Sequence, residues 1–300
     1  MTSQLGVSRI DGTRSTTQVA HRRRRLGRTS WGYTTLAAFI GLVFIAPALW
    51  ILIGSFRPTD DIFSSLTPLT WNLIIPTRAS FDNYVALLTA GGFAHALGVT
   101  ALVCIGSVLL GLALTLPAAY ALSAFRFRGR NLIFGFVVIS FMMPFDAIAI
   151  PLSQLFSDWG LTNSLAGLIL PGIGNGLAIF NLRQHFLNIP QSYREAAMLE
   201  GASEPRILWW IYMPMSGAAI SNSMLLIFLG QWTAYLWPLL VVSDSSLQVA
   251  PVALAMTFGE HSADYGQNFA GIIMLSLIPA AIVFTIQRVF GQLSLSSGVD

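Results

Sequence analysis

The chain has 300 residues, of which 54% are hydrophobic and only 10% charged, and its formal net charge at pH 7 is +3. Its mean hydropathy is +0.68. Soluble domains carry about 25% charged residues, so this composition excludes the ordinary soluble classes and predicts an integral membrane protein. The single cysteine, Cys104, and four scattered histidines exclude a disulfide framework and predict no metal site.

Six apolar runs are long enough to cross about 30 Å of hydrocarbon, which takes about 20 helical residues. They are Tyr33–Ile53, Leu97–Leu122, Asn131–Leu152, Asn163–Phe186, Met215–Val242 and Phe269–Phe290. We therefore predict a six-helix transmembrane domain over residues 31–292, followed by a cytoplasmic tail at residues 293–300. Glycine and proline inside the runs suit helices that kink or pack closely.

Residues 1–30 precede these runs and carry a dense arginine cluster, which predicts a flexible basic arm at the membrane surface. A secretory signal peptide is the competing interpretation, although the next apolar run is too long for one and has no small-residue cleavage site. Of the sixteen arginines, only Arg57 and Arg78 fall on the side of the membrane opposite the arm. The positive-inside rule therefore predicts that both termini lie in the cytoplasm.

A polar segment, Asn188–Pro214, separates the fourth and fifth runs on the predicted cytoplasmic side. Its charged residues are Arg194, Glu195, Glu200, Glu204 and Arg206. We predict two short helices here, with Gly201 at a positive φ between them and Ser203 capping the second. Such a compact helix–turn–helix suits docking to a soluble partner, and the alternative is an ordinary amphipathic loop between two spans.

The order of residue types in this segment resembles the EAA loop of ABC importer permeases. The matching residues are Glu195-Ala196-Ala197, Gly201 and Met213-Pro214, where the family usually ends in Leu-Pro. We call Asn188–Pro214 the EAA segment. The resemblance implies that it is the coupling helix that sits in a groove of the ATPase subunit, with the following candidate coupling residues: Arg194, Glu195, Ala196, Ala197, Glu200 and Gly201.

Two further segments resemble the outer loop of carbohydrate-uptake permeases of the maltose-permease type. They are the SFRP segment, Ser55–Pro58, and the FDNY segment, Phe81–Tyr84. The resemblance implies an all-α, six-span type I ABC importer permease of the MetI-like fold in the bacterial inner membrane. It also implies a second homologous permease, encoded as a different chain, with two ABC ATPase subunits, an extracytoplasmic solute-binding lipoprotein and no nucleic acid.

Polar and aromatic side chains inside the predicted spans mark a candidate solute path, because such groups usually face a cavity. The candidate path residues are Ser221, Asn222, Phe228, Trp232, Thr233, Tyr235, Asp146 and Asn175. We expect the first six to lie on adjoining faces of one continuous fifth helix, with Gln231 pointing away towards a neighbouring helix. Aromatic faces beside hydroxyl and amide groups suit sugars.

Other roles remain open for several of these residues. Trp232 and Tyr235 also fit an interfacial aromatic belt. Asp146 fits a headgroup-level residue or a helix cap, and Asn175, which lies between two glycines, fits a packing or kink site.

The sequence predicts a transporter subunit and not an enzyme. No phosphate-binding Gly-x-x-x-x-Gly-Lys-Ser/Thr occurs in a chain without lysine, so ATP and Mg²⁺ are expected on a partner ATPase and no cofactor on this chain. The predicted solute is a sugar or related polyol. The alternatives are glycerol phosphate or its diesters, because Tyr235–Pro238 is similar to permeases for those solutes, and an ion-coupled secondary transporter, which would need more intramembrane acids than Asp146.

Overall fold

The computed structural model describes residues 31–64, 78–89, 92–257 and 264–296. The chain divides into two units, Met1–Pro47 and Ala48–Asp300. In the first unit the described part is helical throughout, and the predicted basic arm at residues 1–30 lies outside the described residues. In the second unit the described elements are helices, without a strand among them.

The helices are numbered here in chain order. They are α1 (Trp31–Gly54), α2 (Thr59–Ser64), α3 (Asp82–Thr89), α4 (Phe93–Ala124), α5 (Arg130–Met142), α6 (Phe145–Asp158), α7 (Leu165–Ile173), α8 (Gly176–Phe186), α9 (Gln191–Leu199), α10 (Glu204–Ile207), α11 (Met213–Met215), α12 (Gly217–Trp232), α13 (Leu236–Val241), α14 (Ala250–Met256) and α15 (Tyr265–Ser296). A π-helical turn joins α10 to α11, and α4 packs against α7, α8 and α12.

Among the described residues, four helical stretches are long and apolar enough to cross a membrane. They are Gly32–Gly54, Phe93–Ala124, Leu165–Phe186 and Tyr265–Ile286. Two bent pairs also pass the same test: α5 with α6, bent by 98°, and the α10–α11 stretch with α12, bent by 90°. The total reaches six if each bent pair is one span, and the predicted all-α membrane fold is confirmed. The last helix continues to Ser296, so the predicted tail boundary at residue 293 falls inside α15.

The third predicted span is not one continuous helix, because the chain breaks between α5 and α6. The chain is extended at Met143 and Pro144, with ψ of 127° and 124°. Proline disfavours the helical conformation in the residue before it and has no N–H to donate. The helix therefore stops at Met142, and a new helix starts at Phe145 in a different direction.

The fifth predicted span is also broken. Helix α12 ends at Trp232, three residues without helical structure follow, and α13 then runs to Val241. Pro238 explains this break, because in a continuous helix its ring would clash with the carbonyl four residues earlier, that of Ala234. Thr233 and Tyr235 therefore do not share a helical face with the rest of α12, which corrects the prediction.

The SFRP and FDNY segments lie against each other. The Asn83 side-chain amide donates to the carbonyl oxygens of Ser55 and Arg57, both at 2.8 Å. The hydroxyls of Ser55 and Tyr84 are also 2.8 Å apart. Gly266, at the start of α15, completes the contact, because a Cβ there would lie 2.6 Å from the Asn83 amide nitrogen. These bonds tie the end of α1 to α3, and the start of α15 packs closely against the Asn83 side chain.

Candidate functional site

The breaks in the spans meet at a cavity of about 520 Å³. It is lined by the first turn of α6, the α7–α8 junction and the end of α12 with the residues that follow. We call it the polar cavity because its lining includes one carboxylate, two amides and two hydroxyls. These belong to Asp146, Asn175, Gln231, Thr233 and Tyr235. Four of the eight predicted path residues are thus brought together here.

Aromatic rings complete the wall of the polar cavity. Phe145 and Tyr235 line it with exposed rings. Trp237 also lines it but is buried, and its indole N–H donates to the carbonyl of Gly167 at 3.0 Å. The Trp237 ring lies 5.8 Å from Phe145, edge to face. Trp237 therefore fixes the position of the exposed phenylalanine ring.

Gln231 belongs to the cavity although it was not among the predicted path residues. Its side-chain amide donates to the Ser107 hydroxyl at 2.7 Å and to the Leu168 carbonyl at 3.3 Å. The prediction that it binds a neighbouring helix is confirmed. Gly172 makes room for it, because a Cβ there would lie 2.3 Å from the amide nitrogen. The Gln231 side chain thus joins α12 to α4 and α7 at the cavity wall.

Asn175 shapes the α7–α8 junction. Its side-chain oxygen accepts the backbone N–H of Ala178 at 2.9 Å, so it caps the N-terminus of α8. The alternative that placed Asn175 at a kink is therefore confirmed, and the residue lines the cavity as well. Asp146 lies in the first turn of α6 with an exposed side chain, where a carboxylate is favoured by the helix dipole.

The other four predicted path residues lie away from this cavity. Trp232 is only 3% exposed, and its indole N–H donates to the Leu275 carbonyl at 2.9 Å. Its ring stacks on Phe228 at 5.4 Å. The Trp232 side chain therefore fastens α12 to α15 and does not face the polar cavity. The expectation that the path residues share adjoining faces of one continuous fifth helix is wrong, because α12 ends at Trp232.

Ser221 and Asn222 lie nearer the start of α12. The Ser221 hydroxyl donates to the Gly217 carbonyl at 2.9 Å and is buried. The exposed Asn222 donates to the Asn181 side-chain oxygen at 3.2 Å, and Asn181 donates in turn to the Ser223 hydroxyl at 2.9 Å. These amides form a second polar cluster between α8 and α12, on the side towards the EAA segment.

The EAA segment folds as two short helices joined by a tight turn. Gly201 has a φ of 81°, the left-handed conformation that glycine adopts at low cost, so this prediction is confirmed. Helix α9 ends at Leu199, and α10 begins at Glu204. Ser203 occupies the cap position of α10, but its side chain makes no cap bond, so the prediction of side-chain capping is wrong.

The predicted coupling residues divide between two faces of the segment. Ala197 is buried in a core cluster with α4 and α8. The exposed members are Glu195, Ala196, Glu200 and Gly201. Leu199, beside them, is 90% exposed and was not predicted. Tyr193 and Met198 on the same helix are exposed as well, and neighbouring exposed apolar side chains are typical of a docking surface.

Arg194, like Ala197, is turned towards the protein. Its guanidinium makes two hydrogen bonds to the Glu204 carboxylate, which raise its pKa above the ordinary arginine value. The Tyr120 hydroxyl donates to the same carboxylate at 2.5 Å. Arg194 also lies over the Phe125 ring at 5.4 Å. This Tyr120–Glu204–Arg194 triad fastens both short helices of the EAA segment to the end of α4.

Helix α4 therefore contacts both parts of the site. Tyr120 bonds the EAA segment, and Ser107 bonds Gln231 at the polar cavity. At 1.5 Å per residue, these two anchor points lie about 20 Å apart along one helix.

Residues 107–295 match the family described as binding-protein-dependent transport system inner membrane component. The chain belongs to this family. It is an inner-membrane permease component, its relatives are transport permeases and not enzymes, and the resemblance to ABC importer permeases is confirmed.

Several curated relatives match almost the whole chain. The arabinooligosaccharides transport system permease protein AraQ of Halalkalibacterium halodurans is 31% identical over 263 residues, covering 87% of this chain and 93% of that protein. The lactose transport system permease protein LacG of Rhizobium radiobacter is 27% identical and covers 92% and 97%. The sn-glycerol-3-phosphate transport system permease protein UgpE of Salmonella typhi is 28% identical and covers 89% and 95%.

A solved structure shares the fold. The crystal structure of a bacterial ABC transporter involved in the import of the acidic polysaccharide alginate matches with a TM-score of 0.73 at 24% identity. The match covers 86% of this chain and 94% of that chain. The broken third and fifth spans thus occur within an established permease fold.

Proposed function

We propose that this permease forms half of the translocation path for a neutral sugar or related polyol in an ATP-driven importer. It works with a second homologous permease, encoded as a different chain, two ABC ATPase subunits that bind ATP and Mg²⁺, and an extracytoplasmic solute-binding lipoprotein. The chain itself needs no cofactor. The observation that carries the solute class is the lining of the polar cavity.

The chemistry of that lining suits a polyhydroxylated solute. Carboxylate, amide and hydroxyl groups donate and accept hydrogen bonds, which match sugar hydroxyls, while aromatic rings pack against the apolar C–H faces. The volume of about 520 Å³ lies within the usual range for small-molecule sites. Relatives that carry arabinooligosaccharides and lactose by name point to the same class.

A phosphorylated solute fits this lining less well. Phosphate recognition in proteins relies on arginine or lysine donors. The described cavity lining has no basic side chain, and Asp146 contributes a negative charge that repels a phosphate. We therefore favour a neutral solute over the sn-glycerol-3-phosphate carried, by name, by UgpE relatives.

The EAA segment couples this path to the ATPase. We assign the exposed face with Glu195, Ala196, Glu200 and Gly201 to the ATPase groove, and Leu199 adds an apolar anchor. Closure of the ATPase subunits would displace this face, and α4 would carry the displacement from Tyr120 to Ser107 and Gln231. Rigid-body movement of packed helices is an established route for such two-state switching. In this arrangement both termini and the EAA segment are cytoplasmic.

The first test is mild-detergent purification of the tagged chain, with mass spectrometry of the retained proteins. We expect an ATPase, a second permease and a solute-binding protein. Recovery of the chain alone, active in ion-driven uptake, would refute the importer assignment.

The second test addresses the solute with the reconstituted complex. We expect uptake of neutral oligosaccharides in proteoliposomes, and Asp146→Asn should weaken it. Asp158→Asn is the matched control, because Asp158 is an exposed acid on the same helix outside the cavity. Uptake of glycerol phosphate without uptake of neutral sugars would overturn the solute class.

A further inference from the structure

A cluster of arginines lies outside the polar cavity and the EAA segment, in the connection from α4 to α5. Arg126, Arg128 and Arg130 alternate along this connection and line a groove of about 540 Å³. The lining, Arg126–Leu132, contains no acidic residue. We call it the arginine groove.

The charges of this groove are not neutralised by the described part of the chain. Arg126 and Arg128 are exposed, and neither forms an ion pair or a side-chain hydrogen bond with a described residue. The Arg130 side chain donates to the Phe125 carbonyl at 3.2 Å, a neutral acceptor that leaves the positive charge in place. Three like charges on so short a connection create a strongly positive patch that attracts anions.

The start of α5 adds to this potential. Gly129 occupies the cap position with a φ of 85° and supplies no side chain. The backbone N–H groups of Asn131 and Leu132, in the first turn, therefore lack a side-chain cap while these residues line the groove. Uncapped N–H groups at the positive end of a helix favour an anion further.

Exposed apolar side chains beside the groove favour a lipid over a soluble molecule as the source of the anion. Phe127 is exposed, as are Leu132 and Phe136 on the first turns of α5, and Leu132 has 66% of its surface open. The groove also adjoins the EAA segment, because Arg194 lies over the Phe125 ring. It thus lies at the end of two spans, where headgroups and acyl chains meet.

We propose that the arginine groove binds the phosphodiester headgroup of an anionic phospholipid. Arg126 and Arg128 donate to the phosphate oxygens, a pairing that guanidinium groups favour. Leu132 and Phe136 contact the first part of an acyl chain. A soluble phosphate would use the arginines but not the exposed apolar side chains, which is why we favour the lipid. Basic pockets between transmembrane helices are known to bind such headgroups.

Native mass spectrometry of the assembled transporter tests this assignment. The complex is prepared in nanodiscs that contain equal amounts of phosphatidylglycerol and phosphatidylcholine, and the retained lipids are counted. We expect retained phosphatidylglycerol in the wild type. Each surface arginine strengthens binding to an anionic membrane about fivefold, so Arg126→Gln with Arg128→Gln should weaken retention about 25-fold.

The matched control removes the same charge elsewhere. Arg78→Gln with Arg288→Gln replaces two exposed arginines outside the groove and should leave the retained lipid unchanged. Equal loss in both double variants, or no loss in either, would overturn the proposal. Displacement of the bound lipid signal by inorganic phosphate, with no preference between the two lipids, would instead assign the groove to a soluble anion.

Discussion

Replacing Tyr120 by phenylalanine tests the link between the EAA segment and the membrane helices. The change removes the hydroxyl that donates to Glu204 at 2.5 Å and keeps the ring, which packs 4.8 Å from Tyr212. The apolar core around the ring should therefore remain intact. Only the hydrogen bond between α4 and the EAA segment is lost.

The size of the effect follows from the surroundings of this bond. A hydrogen bond to a charged group contributes about 1.5–3 kcal/mol. Tyr120 is 3% exposed, but the Glu204 side chain is 32% exposed and keeps its bonds to Arg194. Water can replace part of the lost bond, so we expect the lower end, about 1.5 kcal/mol. Because 1.4 kcal/mol is a tenfold change in an equilibrium, the population with the segment released from α4 should rise about tenfold.

The assay compares solute uptake with ATP hydrolysis in proteoliposomes that contain the whole complex. We expect Tyr120→Phe to lower the solute transported per ATP hydrolysed while hydrolysis continues, because the ATPase still contacts the exposed face of the EAA segment. Tyr84→Phe is the matched control, since it removes a partly buried tyrosine bond to Ser55 far from that segment along the chain. An unchanged ratio for Tyr120→Phe would refute the idea that α4 transmits the movement through this bond.

Three further substitutions test other parts of the site. Leu199→Ser should reduce co-purification of the ATPase without lowering the amount of permease in the membrane, and full retention would argue against an apolar anchor. Gly201→Asp forces a side chain into φ 81° and places a charge on the docking face, so uptake should be abolished with the protein still inserted, and normal uptake would contradict this. Gly172→Ala should displace the Gln231 amide, which a Cβ would approach to 2.3 Å, and weaken uptake, whereas the wild-type Michaelis constant would count against a cavity role.

The sequence predicts those parts of the site whose conformation depends on residues adjacent in the chain. The turn at Gly201 followed from the glycine itself and the short helices on each side. The breaks at Pro144 and Pro238 are harder to predict, because membrane helices also tolerate proline as a mild kink. Hydropathy alone does not distinguish a kink from a 98° bend. Tyr235 was therefore assigned to the wrong helix face, although its place at the candidate path was predicted.

Contacts between distant positions could not be predicted in the same way. Tyr120 and Glu204 are 84 residues apart, and Trp232 and the Leu275 carbonyl are 43 apart. Helical periodicity describes only residues three or four positions apart. A tyrosine at the end of an apolar run before a basic turn is the one local hint, since its hydroxyl would seek a polar partner there.

The contact between the SFRP and FDNY segments affects how far members of this family can differ in chain length between the two segments. The bonds from Asn83 to Ser55 and Arg57 close the chain on both sides of residues 65–77. Doubling the length of a closed loop costs only about 0.6 kcal/mol. The closure held by Asn83 therefore fixes the end of α1 against α3 whatever the length of the chain between them, so members of the family can differ in that length.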